Sequence, residues 1–219
     1  MKVYISYLDT LMEMDICRAN VLIVENPQMY RAIVENLACS IKEDNEQWIF
    51  SDNEKELKKG QAIELVDSFL SIDFSNRKIQ KSVTDNLYDL AMDEEHYGKT
   101  LELMSTIENY IYELEWNMEY DLEVSYQDFH NIIKAGVLGI TSPESILEKF
   151  VAYIKLVSRL MKVKVIVLIG LQKYFNGEEW KMLELTACYE GVYLFCVEGQ
   201  QYFEDENKIL LDVDKCRVV

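Results

Sequence analysis

The sequence predicts an α/β fold whose head carries an inserted helical leg. Short apolar, β-branched runs at 21–24, 163–169 and 192–197 are the pattern of strands buried on both faces of a parallel sheet. Helical patterns lie between them, and strand–helix alternation of this kind implies βαβ units. Between the first run and the other two stands a long acidic helical stripe, which reads as an insertion. The expected division is a head of residues 1–75 and 121–219 and a leg of residues 76–120.

The chain has 219 residues, 49% hydrophobic and 28% charged, with two prolines and eight glycines. This is the composition of one large globular domain or one domain with an insertion, and it excludes global disorder. No apolar run approaches the roughly 18–20 residues that span a bilayer, and the start Met1-Lys2-Val3-Tyr4-Ile5 has no signal-peptide core. The five cysteines (17, 39, 188, 196, 216) are odd in number and include no CxxC. Neither a disulfide framework nor a zinc site is expected, and a reducing cytoplasm is the simplest compartment.

The elements follow in order. Residues 2–7 and 11–16, split by Asp9-Thr10, read as a β-hairpin. After the run at 21–24, Asn26-Pro27 opens a helix with Asn26 as cap, and Tyr30, Ile33, Val34, Leu37 and Ile41 keep helical spacing. Residues 48–50 and 63–66 read as strands, with a charged connection over 54–60. Residues 77–119 read as helix. There Leu87, Leu90, Glu94, Tyr97, Leu101, Met104, Ile107, Ile111, Leu114 and Met118 fall in steps of three and four. This is a coiled-coil type stripe, about 48 Å long if unbroken, with Glu94 and Gly98 as possible breaks. A short helix over 127–135 follows. Thr141 and Glu144 have the spacing of a capping box and predict a helix from there to about Met161. A further helix is expected over 178–190.

Charge is polarised along the chain. The net charge is −17, yet residues 82–130 hold thirteen acids and one base, whereas residues 131–181 hold eight bases and four acids. A partner senses the local field, because screening limits reach to about 8–10 Å. Within the basic stretch, Lys155, Arg159 and Lys162 fall on one face of a helix, with Lys149 upstream and Lys164 following on the strand. That stripe suits sequence-neutral phosphate contact, with a solvated helix face as the plain alternative.

Catalytic signatures are missing. The connection Val24-Glu25-Asn26-Pro27-Gln28 has no glycine and no Lys-Ser/Thr pair, so no phosphate loop follows the first strand. His96 and His130 read as helix-surface histidines, and Cys188 and Cys196 as core residues. The acids Glu113, Glu115, Glu119, Asp121, Glu123 and Asp128 crowd sixteen residues. They read as a solvated acidic face, as ligands for a hard cation such as Ca²⁺, or as a two-metal nuclease centre.

The chain resembles the ring-forming, DNA-end-binding adaptation family of type II-A CRISPR systems. The resemblance rests on Asp121-Leu122-Glu123 after an acidic helix end, Ile146-Leu147-Glu148-Lys149, and the lysine-led strand Lys162-Val163-Lys164-Val165-Ile166-Val167. Leu194-Phe195-Cys196-Val197-Glu198 and Gln201-Tyr202-Phe203-Glu204-Asp205-Glu206 complete it. The resemblance implies a nucleotidase-like head without a nucleotide site and a homotetrameric ring that surrounds double-stranded DNA and engages linear ends. It implies calcium at the junction of leg and head, and work beside the CRISPR integrase and effector nuclease in spacer acquisition, without cleavage. Lys134, Lys149, Lys155, Arg159, Lys162 and Lys164 are the expected DNA contacts. Glu115, Glu119, Asp121, Glu123 and Asp128 are the expected Ca²⁺ ligands. The competing expectation is a divergent metal-dependent nuclease or nucleotidase that uses the 113–128 acids.

Overall fold

In the computed structural model the described residues are 1–115, 129–136, 140–204, 207–211 and 217–218. The strands are β1 (Lys2–Ile5), β2 (Thr10–Glu13), β3 (Asn20–Val24), β4 (Trp48–Asp52), β5 (Lys55–Glu56), β6 (Ile63–Val66), β7 (Val165–Ile169), β8 (Tyr193–Glu198), β9 (Asn207–Leu211) and β10 (Arg217–Val218). The helices are α1 (Pro27–Glu43), α2 (Lys59–Ala62), α3 (Arg77–Ala91), α4 (Tyr97–Glu115), α5 (Phe129–Ala135), α6 (Ile146–Met161) and α7 (Gly177–Glu190). The chain forms two compact units, Met1–Asp73 with Ser142–Val219, and Phe74–Thr141.

The first unit is built on a six-stranded sheet of order β10-β9-β3-β8-β7-β6. All neighbours are parallel except β10 against β9. The three β-branched runs become β3, β8 and β7, side by side at the centre, and every residue of β3 and β7 is buried. Alternate residues point to opposite faces. Leu22, Val24, Val165, Val167, Ile169, Phe195 and Val197 share one core with Ile33 and Leu37 of α1.

That core is closed by a second, antiparallel sheet of order β2-β1-β4-β5. The expected N-terminal hairpin forms, and β4 pairs with its first strand. Trp48 and Phe50 of β4 meet Phe195 edge-on, with centroids at 5.9 and 6.0 Å. On the other face of the large sheet, α6 and α7 contribute buried Phe150, Ile154, Val157, Leu183 and Ala187, none of which joins the first core.

Several local features depart from the sequence expectation. The helix expected from Thr141 begins at Ile146, because Ser145 is the cap and its Oγ accepts from the Glu148 amide at 3.1 Å. The spacing Ser145–Glu148 is the same as that of Thr141–Glu144, so two candidate starts compete. The charged connection at 54–60 contains β5 and buries Lys59 completely. Its Nζ donates to Asp44 Oδ1 (3.0 Å), the Asn45 carbonyl (2.9 Å) and Glu56 Oε1 (3.3 Å), so charge and hydrogen bonds are satisfied together. Cys17 and Cys188 form a disulfide, against the expectation of none. The odd count and missing CxxC say nothing about cysteines 171 positions apart that the fold brings together. Cys196 is a buried core thiol, as expected.

Asn20 opens β3 and is fully buried. Its Nδ2 donates to the carbonyls of Asp15 (2.8 Å) and Leu194 (2.9 Å), and its Oδ1 accepts from Asp15 N (2.7 Å) and Asn207 Nδ2 (2.8 Å). One side chain thus fixes the entry to three strands.

The second unit is helical in its described residues. As far as Glu115 the stripe expected over 77–119 is not one rod but α3 and α4, divided at 92–96, and its last position, Met118, lies outside the described residues. Asp93 makes the break. Its Oδ1 accepts from the amides of Glu95 (3.0 Å) and His96 (2.8 Å), which caps the new helix, and Thr100 Oγ1 closes the corner on the Ala91 carbonyl at 2.8 Å. His96 sits at this turn with Nδ1 2.8 Å from Asp93 Oδ1. His130 is more than a surface residue. It is half-buried between α3 and α5, with Nε2 3.0 Å from Asp85 Oδ1 and its ring edge-on to Tyr88.

Candidate nucleic-acid interface

Helix α6 is positioned from its buried side. Phe150, Tyr153, Ile154 and Val157 face the core, and the Tyr153 hydroxyl donates to Glu64 Oε1 on β6 at 2.9 Å. With that face fixed, the 3.6-residue period turns Lys155 and Arg159 outward. Lys155, Arg159, Lys162 and Lys164 are exposed and Lys149 is half-buried. Lys162 ends the helix in the left-handed conformation (φ 56°), which places its charge at the negative end of the helix dipole. The five cations therefore lie along α6 and its turn into β7. Lys134, in the last turn of α5, is exposed in the other unit.

Two of these cations have acidic partners that sequence spacing does not reveal. Arg159 grips Glu190 with both prongs, Nε to Oε2 at 2.8 Å and Nη2 to Oε1 at 2.6 Å. That bidentate pair holds the Glu190 carboxyl below its usual range, with Ser158 and Lys155 assisting. Lys164 donates to Asp52 Oδ2 at 2.7 Å and lowers that carboxyl in the same way. Both acids are brought in by strand and helix packing, 31 and 112 residues away in sequence.

The other region to weigh is the carboxyl edge of the parallel sheet, where doubly wound folds place ligands. Here the chain fills its own anion positions. Asn26 Oδ1 accepts from the amides of Gln28 (2.9 Å) and Met29 (3.1 Å), the first free donors of α1. After β7, the Gln172 amide donates to Glu198 Oε1 at 3.0 Å, and the Leu171 amide also favours that carboxylate. Glu198 is 1% exposed, and burial pushes its carboxyl up to about 7 against those amides and Lys173. Sequence reasoning missed Glu198. Its signal was an acid closing an otherwise apolar strand.

Of the expected calcium ligands only Glu115, half-buried at the end of α4, is among the described residues. Glu119, Asp121, Glu123 and Asp128 lie outside them. No cluster of three or more His, Cys, Asp or Glu side chains able to hold a metal occurs among the described residues. No helix among the described residues is long and apolar enough to cross a membrane.

These features define a doubly wound α/β unit that lacks a phosphate loop, interrupted by a helical unit and edged by a line of cations. The sequence model of the family described as CRISPR-associated protein (Cas_Csn2) matches residues 40–215. The chain belongs to this family, the type II-A adaptation family whose pattern its sequence carries, and its role is CRISPR-associated. A search of curated proteins gave no match.

Proposed function

We propose that this protein binds double-stranded DNA without sequence preference, at linear ends, as a homotetrameric ring that acts in spacer acquisition and does not cleave its DNA. The observation that supports it most is the exposed line of Lys155 and Arg159 on α6 and Lys162 at its C-cap, in a member of this family whose net charge is −17. An acidic exterior and a cationic bore are compatible with that total. Phosphate contacts position without reading bases, so Lys134, Lys149, Lys155, Arg159, Lys162 and Lys164 serve any sequence. The self-filled amides at Asn26 and Glu198 favour a binding role over nucleotide chemistry.

Calcium belongs to the same reading. Glu115, Glu119, Asp121, Glu123 and Asp128 offer only carboxylate oxygens, the donor set of a hard cation. A site completed only in the assembled ring stabilises the ring by mass action. The CRISPR integrase and effector nuclease are the expected partners, and the cytoplasm is the expected compartment.

The test is incubation with linear and closed circular duplexes in Ca²⁺ or Mg²⁺, at several salt concentrations. Linear duplex is retarded more strongly than circles, unrelated sequences bind alike, and log affinity falls by about 0.9 per contacted phosphate per log unit of salt. Lys149→Glu with Lys162→Glu removes binding without loss of helicity. Circles bound as tightly as linear fragments refute the threading, and shortened products identify a nuclease instead.

A further inference from the structure

The connection between β2 and β3 is held to α7 by two ties. Cys17 is bonded to Cys188, 171 positions further along the chain, and the Ala19 amide donates to Glu184 Oε1 at 2.7 Å. Glu184 and Cys188 stand at i and i+4 on α7, so both ties land on one face of the helix. The bridge lies where β3 and β8 begin, beside the Asn20 side chain that joins Asp15 to Leu194.

The two ends of the bridge differ in access. Cys17 is exposed, as is its neighbour Arg18, whereas Cys188 is half-buried in the last turn of α7. Exchange between a thiol and a disulfide depends on access to the sulfur that is attacked, so a bridge with an exposed cysteine is open to small thiols. Closing so long a loop also restricts the unfolded chain, which favours the folded state as long as the bond is intact.

We propose that the Cys17–Cys188 bridge is a reversible modification site for low-molecular-weight thiols and disulfides, and that its closed form locks residues 15–18 onto α7. In opening, a thiolate attacks the Cys17 sulfur, the bond between the cysteines breaks, and Cys188 leaves as a thiolate that takes a proton. A second thiolate then attacks the outer sulfur of the mixed disulfide on Cys17. Cys17 leaves, takes a proton, and the two small thiols depart as one disulfide. Two electrons have passed from the small thiols to the bridge. The reverse steps, with a small disulfide as oxidant, close it again. The open form keeps the Asn20 bonds and the Ala19–Glu184 tie but loses the covalent hold beside Arg18. The inference goes beyond the proposed function and needs neither DNA, nor calcium, nor a second copy of the chain.

The experiment equilibrates the whole chain with mixtures of reduced and oxidised glutathione, traps free thiols by alkylation, and maps the peptides by mass. The Cys17 and Cys188 peptides are joined at the oxidising end and separate at the reducing end, while circular dichroism shows both forms folded. Limited trypsin digestion cuts after Arg18 at least about tenfold faster in the reduced chain, because cleavage follows the local opening of the segment. The thermal midpoint of the oxidised chain is higher by at least about 5 °C. Cys17→Ser is cut at the fast rate in both buffers and shows no difference in midpoint between them. Peptides that never join at any glutathione ratio overturn the bridge. A bridge that small thiols open only after the chain is denatured overturns the exchange and marks a fixed staple. Equal cutting after Arg18 in both forms overturns the lock, as does faster cutting at all sites together with lost helicity, which is global unfolding.

Discussion

Glu198 sets a pH dependence that a single substitution isolates. An unfolded glutamate titrates near its ordinary 4.5, whereas the buried carboxyl holds its proton to about 7. Between these values the native chain binds more protons than the unfolded one, so stability falls as pH rises through that window and stays low above it. At about 1.4 kcal/mol per tenfold change in proton affinity, the full loss is at most about 3.5 kcal/mol. Glu198→Gln keeps an acceptor for the Gln172 amide and removes the charge. Urea denaturation at pH 5 and pH 8 should show the variant more stable than wild type at pH 8 and nearly equal to it at pH 5. Glu190 acts in the opposite sense on the cationic face. Glu190→Gln loosens the fork on Arg159 and removes one negative charge beside Lys155. Under the proposed function it should raise duplex affinity several-fold and steepen its salt dependence, read by fluorescence anisotropy. An affinity that falls instead means that Arg159 must be held in place to meet the phosphate.

The cap of α6 is the clearest test among the elements. Ser145→Ala should cost about 1 kcal/mol, while Thr141→Ala should leave stability nearly unchanged. Equal losses would mean that the helix starts earlier than Ile146. Elements whose signal is local were legible in the sequence. The buried strands β3, β7 and β8 announced themselves through short continuous apolar runs, and Asn26-Pro27 marked the start of α1. Elements that depend on a choice between equivalent signals were not. Ser145 and Thr141 carry the same spacing, and the α3–α4 break follows from one aspartate, Asp93, rather than from Gly98 or Glu94. Of the candidate interface, the helical phase of Lys155 and Arg159 was readable, because i and i+4 need no tertiary knowledge. Their neighbours Glu190 and Asp52 were not, since long-range packing alone brings them near. The Cys17–Cys188 pairing escaped for the same reason.

At the scale of the whole molecule, a net charge of −17 acts on the compact state through self-repulsion. Monovalent salt screens it within a Debye length of about 10 Å at 0.1 M. With chelator present to exclude divalent ions, the thermal midpoint should rise by a few degrees between roughly 10 and 200 mM chloride. A midpoint that falls would mean that exposed ion pairs, Lys164–Asp52 among them, outweigh the repulsion. Under the proposed function DNA binding should respond with the opposite sign, so one titration separates the two effects.

The chain order of the large sheet has a consequence for synthesis. Strand β3 is complete by Val24, yet both of its neighbours, β8 and β9, come from the last 30 residues or so of the chain. At roughly 5–20 residues per second, a ribosome leaves Val21–Val24 without sheet partners for about ten seconds to half a minute. During that interval α1 and the β1–β2 hairpin can form, and so can the helical unit Phe74–Thr141, because their contacts are local. The parallel core then closes late, when β8 and β9 arrive on either side of a strand made at the outset. The polar seal at Asn20, which reaches Leu194 and Asn207, can form only at that moment. A nascent chain halted before residue 190 would present an unpaired apolar strand, the kind of segment that chaperones bind and that aggregates when they do not.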